Sequence, residues 1–198
     1  LMHEYLDGID YCWFFTPTYD GNGFGRVKSM LSFIWQIWRL DRHIAESFKP
    51  DVVVASSTYP MDIWPAKKIA DVASAKLIYE VHDLWPLSPM ELGGMSRWHP
   101  FIMLVQWAED YAYKYADKVI SMLPEAMKYM VSRGMVQDKW AYVPNGIDLK
   151  EWEALDKLPD DIQDAINLIK KRGRHIVCYA GTHGVANALD LLLDASTL

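Results

Sequence analysis

Residues 76–86 read KLIYEVHDLWP, and this stretch decides the fold. Leu77, Ile78, Tyr79 and Val81 make a short apolar run of the kind that forms a buried strand, predicted over Lys76–Val81. Trp85-Pro86 then stops it, because proline lacks the backbone donor and restricts the residue before it. Such a strand hands His82 and Asp83 to the loop at its carboxyl end. In an open parallel sheet that is where ligands bind. Position alone leaves two readings of His82 standing, a ligand-facing group or a polar residue that merely opens a loop.

Outward from this stretch the same unit recurs. Apolar runs at Tyr11–Phe15, Val52–Ala55, Lys118–Ser121, Trp140–Val143 and His175–Ala180 alternate with longer amphipathic segments. The helices are predicted at Gly25–Phe48, Met61–Ala73, Pro100–Ala116, Glu125–Ser132, Asp161–Lys171 and Ala186–Asp194. Pro100 and Pro124 suit first-turn positions and Gly134 a helix C-terminus. Alternating strands and helices predict an α/β fold, a Rossmann-like parallel sheet flanked by helices. The runs lack strict alternation, as strands covered on both faces do.

Three segments are expected along the chain. Residues 1–148 form a Rossmann-like domain that lacks its first strand and Gly-rich turn, since no apolar strand precedes LMHEYLDGID. Residues 149–173, rich in Asp, Glu and Lys, form a helical linker. Residues 174–198 hold one βα unit, too little to bury its own faces, and so read as the truncated opening of a second domain.

Composition narrows the function. The 198 residues are 51% hydrophobic with net charge −6, enough for a packed core, and no face interleaves basic and aromatic residues, so nucleic acid is not an expected partner. Lys170-Lys171-Arg172 with Arg174 reads as a solvated helix end. Cys12 and Cys178 lie far apart in apolar runs and read as buried free thiols of a reducing compartment. With no signal segment visible and no apolar run near the roughly 18 residues of a membrane span, a cytoplasmic protein is expected. Two Trp-rich segments, FIWQIWRL from Phe33 and WHPFIMLVQW from Trp98, fit core packing, or else a face toward a membrane.

Four polar or Gly-rich stretches fall at strand ends: Ser56-Ser57-Thr58, His82-Asp83, Asn145-Gly146 and Gly181-Thr182-His183-Gly184. Asn145 and Gly146 have the chemistry of a turn, with Gly146 free to take a positive φ. No dinucleotide or Walker loop, zinc spacing or serine elbow occurs. His3, His43, His99 and His175 stand singly, as surface or core residues.

EVHDLWP, YVPNGID and YAGTHGVANALDLLLDA, in that order, resemble the GT-B glycosyltransferases of family 4, from about Asp7 to the last residue. The resemblance implies an N-terminal, acceptor-side domain followed by the start of the nucleotide-sugar domain. It implies a retaining hexosyl- or hexosaminyl-type transfer from a nucleotide-diphosphate sugar to a lipid-linked or polysaccharide acceptor, in surface-glycan and polysaccharide biosynthesis. No metal or other cofactor is expected. Peripheral contact with the inner face of the plasma membrane is expected where the acceptor is lipid-linked.

The resemblance further makes His82 and Asp83 catalytic, with Asp83 as the orienting carboxylate or an acceptor contact, and places Ser57, Thr58, Asn145 and Gly146 at the substrate. Gly181, Thr182, His183 and Gly184 meet the donor diphosphate. The family's Arg/Lys pair and its two glutamates seven residues apart have no match before Leu198, so this chain alone is expected to be inactive. A GT-B sugar-nucleotide epimerase and a non-catalytic Rossmann-like binding module stay as alternatives.

Overall fold

The computed structural model describes residues 2–21, 23–153, 156–184 and 187–196. The chain divides into two compact units between Pro144 and Asn145.

In the first unit, β3 (Val52–Ala55), β4 (Lys76–Val81), β5 (Lys118–Ser121) and β6 (Trp140–Tyr142) form a four-stranded sheet, parallel throughout and in sequence order. Each crossover carries helix, as parallel neighbours require. A 3₁₀ turn at Pro60–Asp62 leads into α2 (Ile63–Ala73), α3 (Leu87–Glu91) and α4 (Pro100–Tyr115) lie between β4 and β5, and α5 (Ala126–Ser132) precedes β6. His99 caps α4 by accepting from the Phe101 N–H at 3.2 Å, with Pro100 in the first turn as expected. Pro124 lies two residues ahead of α5 rather than inside it.

The core sits on one face of this sheet. Leu77, Tyr79, Val81 and Val119 meet Ile63, Ala66 and Ala70 of α2 and Val105, Ala108 and Tyr113 of α4. On the other face Val52 and Val54 are 46% and 48% exposed, so within this unit the strands alternate instead of being buried on both sides.

α1 (Phe24–Phe48) packs on α2 through a stripe that buries Met30, Ile34 and Ala45. Its opposite face stays in solvent. Trp35 and Trp38, like Trp98 and Trp107, are exposed, and core packing accounts for only the inward residues of both Trp-rich segments. A helix turns one stripe inward, and the remaining aromatics face out.

The run at Tyr11–Phe15 is not part of the parallel sheet. β2 (Ile9–Trp13) instead pairs antiparallel with β1 (Met2–Leu6), an element absent from the sequence-based expectation. Asp7 and Gly8 both take positive φ, 52° and 84°, as a two-residue hairpin turn demands.

The second unit holds α6 (Leu149–Glu153), α7 (Asp160–Lys171) and α8 (Leu189–Ala195). Lys170 and Lys171 do end α7. His175–Ala180, expected as a strand, has no regular structure, because no second strand lies among the described residues of this unit to pair with it. Cys178 is consequently exposed and Cys12 half-buried, both as free thiols, rather than buried. The predicted start of the last helix at Ala186 lies outside the described residues.

Candidate functional site

The carboxyl edge of the sheet carries the chemistry. Register sets Ala55 beside Tyr79, so the next residues, Ser56 and Glu80, are neighbours. Side chains alternate along a strand, and Glu80 and His82 therefore project to one face while Val81 goes into the core. The three polar groups meet there. Ser56 Oγ donates to Glu80 Oε2 at 2.5 Å and lies 3.0 Å from His82 Nε2, and that nitrogen is 3.6 Å from Glu80 Oε2. His82 and Glu80 keep about a third of their side chains accessible, 34% and 33%.

The carboxylate beside the imidazole is thus Glu80. Asp83, read from the sequence as the orienting group, is exposed and makes no hydrogen bond to His82. The signal for Glu80 was legible in the i, i+2 spacing of a strand. Ser56 came from the neighbouring strand and needed the register.

Ser57 and Thr58 line a cleft of about 420 Å³ together with Thr16, Tyr19, Arg26 and Ser29. Ser29 donates to Thr16 at 2.9 Å on its wall. The Ser57 hydroxyl also bonds to Asp62, which the sequence reading did not single out. Burial pushes the Asp62 carboxyl up to about 6, against hydrogen bonds from Ser57 and backbone N–H groups that pull it down. Tyr59, on the same wall, is pushed up to about 12 by burial and by the nearby Asp62. Beside the cleft, Arg26 stacks 5.6 Å over the Trp85 ring, whose bond to Pro86 is cis. The cleft is thus lined by hydroxyls, a guanidinium and aromatic rings.

The remaining predicted residues lie in the second unit. Asn145 and Gly146 are exposed, three and four residues past the end of β6, and Gly146 does not use the left-handed φ that its turn was expected to need. Gly181-Thr182-His183-Gly184 folds around one carbonyl. Thr182 O accepts from Tyr179 Oη at 3.2 Å, from Asn187 Nδ2 at 2.6 Å and from the Gly184 N–H at 3.0 Å. A Cβ on Gly181 would stand 2.8 Å from Tyr179 Oη, the far end of an exposed side chain that can give way. Among the described residues no group of three or more His, Cys, Asp or Glu is placed to hold a metal. No described helix is long and apolar enough to cross a membrane.

A parallel sheet with helical crossovers and polar groups gathered at its carboxyl edge defines a Rossmann-like ligand-binding domain. The chain belongs to the family described as the glycosyl transferase 4-like domain, whose model matches residues 10–146, more than half of its length. Among solved structures it is similar to HepE of Anabaena. Against the crystal structure of HepE in complex with UDP-glucose the TM-score is 0.50, with 16% identity over 87% of this chain and 42% of that one. Against HepE in complex with UDP and glucose the values are 0.47 and 19%, over 71% of this chain and 33% of that one. The chain spans less than half the length of these structures. No curated protein matches the sequence.

Proposed function

We propose that this glycosyltransferase domain is the acceptor side of a retaining GT-B enzyme, with residues 174–198 the opening of the nucleotide-sugar domain and residues 149–173 the linker. The enzyme moves a hexosyl or hexosaminyl group from a nucleotide-diphosphate sugar to a hydroxyl of a lipid-linked or polysaccharide acceptor. One observation carries this reading: within the matched family span, an imidazole supported by a hydroxyl and a carboxylate stands at the carboxyl edge of the sheet. The binding of UDP-glucose by HepE, a protein of the same fold, points to the same donor class.

In this reading His82 meets the reacting sugar or the attacking hydroxyl. Asp83, exposed at the loop, is an acceptor contact. Ser57 and Thr58 hold acceptor hydroxyls in the cleft, and Asn145 and Gly146 lead toward the substrate. Gly181, Thr182, His183 and Gly184 approach the donor diphosphate, where backbone N–H groups stabilise the charge that grows on the leaving group. No metal is needed. The enzyme works in the cytoplasm, against the inner face of the plasma membrane where its acceptor is a lipid.

The test is His82→Ala in the full-length protein, assayed against a panel of nucleotide sugars with product analysis. A group that transfers or holds a proton contributes roughly 10²–10⁴ in rate, so turnover should fall by about a hundredfold or more with the fold intact. Unchanged turnover would remove His82 from the chemistry. Product formed without any acceptor would identify an epimerase instead.

A further inference from the structure

We infer that Ser56 and Glu80 lock His82 as the Nε2–H tautomer, leaving Nδ1 as the bare, proton-accepting nitrogen at the carboxyl edge of the sheet. The argument is a count of protons. A carboxylate oxygen only accepts, a serine hydroxyl has one proton to give, and a neutral imidazole has one N–H. Ser56 Oγ and Glu80 Oε2 are 2.5 Å apart, a separation that two oxygens reach only with a proton between them. The Ser56 proton is therefore committed to Glu80.

What remains on Ser56 Oγ is lone-pair density, and His82 Nε2 lies 3.0 Å from it. Nε2 can fill that contact only as a donor. Glu80 Oε2 at 3.6 Å from the same nitrogen favours the positive end of an N–H there. No described residue hydrogen-bonds the other side of the ring, and Asp83 does not.

The tautomer is set by a hydroxyl from β3 and a carboxylate from β4, so Ser56 and Glu80 are positioning residues acting through His82. A ligand hydroxyl facing Nδ1 must then be a donor, whereas a carbonyl or phosphate oxygen facing it would find no proton. The use of this nitrogen in sugar transfer rests on the glycosyltransferase reading above; the tautomer itself does not.

The ¹⁵N-labelled 198-residue chain, examined at pH 8 by two-bond ¹H–¹⁵N correlation of its histidine rings, tests the assignment. His82 is identified by the signals lost in His82→Asn. The expected result is a pyrrole-type Nε2 and a pyridine-type Nδ1 in the native chain, an averaged pattern from tautomer exchange in Ser56→Ala, and a return to the native pattern in Ser56→Thr. A native ring protonated on Nδ1, or one already averaged between tautomers, overturns the inference, as does a folded Ser56→Ala with the native pattern. Should His82→Ala leave turnover unchanged, the transfer role falls and the tautomer stands. Should the tautomer be wrong, the inference falls whatever turnover shows.

Discussion

At the scale of single residues, two buried carboxyls whose proton affinity is raised by burial, Glu109 and Asp62, bear on how the fold answers to pH. Glu109 of α4 is 1% exposed and accepts from Tyr113 at 2.8 Å, Tyr129 at 2.9 Å and Gln106 at 2.7 Å. Burial pushes its carboxyl from 4.5 up to about 7, even though these three bonds pull the other way. Because the folded value is raised, the native state binds the proton more tightly. The stability this confers is complete below about pH 4.5 and is lost as pH rises through about 7, on the order of 3 kcal/mol in all. Asp62 acts in the same direction, with its window between 3.8 and about 6. We expect Glu109→Gln to flatten this slope. Chemical denaturation at pH 5 and pH 8 should show the native chain losing more stability across the interval than the variant does. Equal losses would mean that Glu109 is ionised in the fold without penalty.

At the scale of elements, the end of α5 shows how a local rule becomes a tertiary contact. Gly134 takes φ +98°, its N–H bonds to Val131 O at 2.9 Å, and the Met135 N–H reaches back to Met130 O at 3.1 Å. This pair of bonds closes the helix in a Schellman motif. It also folds Met135 onto Met130, and both are buried in the core. Gly134→Ala should cost about 1 kcal/mol, since any Cβ strains a left-handed backbone, and lower the melting temperature by roughly 2–4 °C. Gly93 is constrained differently. A Cβ there would lie 2.6 Å from the Pro89 carbonyl oxygen, so Gly93→Ala must push the end of α3 aside. A destabilisation of about 1–3 kcal/mol is expected by the same denaturation measurement.

At the scale of the whole molecule, the two units should differ in protection. The central strands β4 and β5 pair on both sides and pack on α2 and α4, whereas residues 174–180 make no strand. Hydrogen exchange should leave the amides of Leu77, Tyr79 and Val119 slowest and those of 175–180 among the fastest. Slow exchange throughout 175–180 would show that this run finds a partner strand after all.

The sequence by itself determined the strands β3 to β6, most of the helices, the parallel α/β class and the placing of His82 at a strand end. Each of these follows from short-range patterning: apolar runs, the Trp85-Pro86 stop, Pro100 at a helix start and Gly134 past a helix end. It misplaced the residues around Asp7-Gly8, where the two-residue turn outweighed the apolar run after it. Tertiary structure decided the rest. That Glu80 rather than Asp83 stands by the imidazole, and that Ser56 completes the cluster, depends on the register of β3 against β4. That Ser57 faces Asp62 and that the Trp-rich helices turn Trp35, Trp38 and Trp107 outward depends on packing. A pattern along one chain carries the periodicity of its own element, but which side chains meet across two elements is set by register and packing.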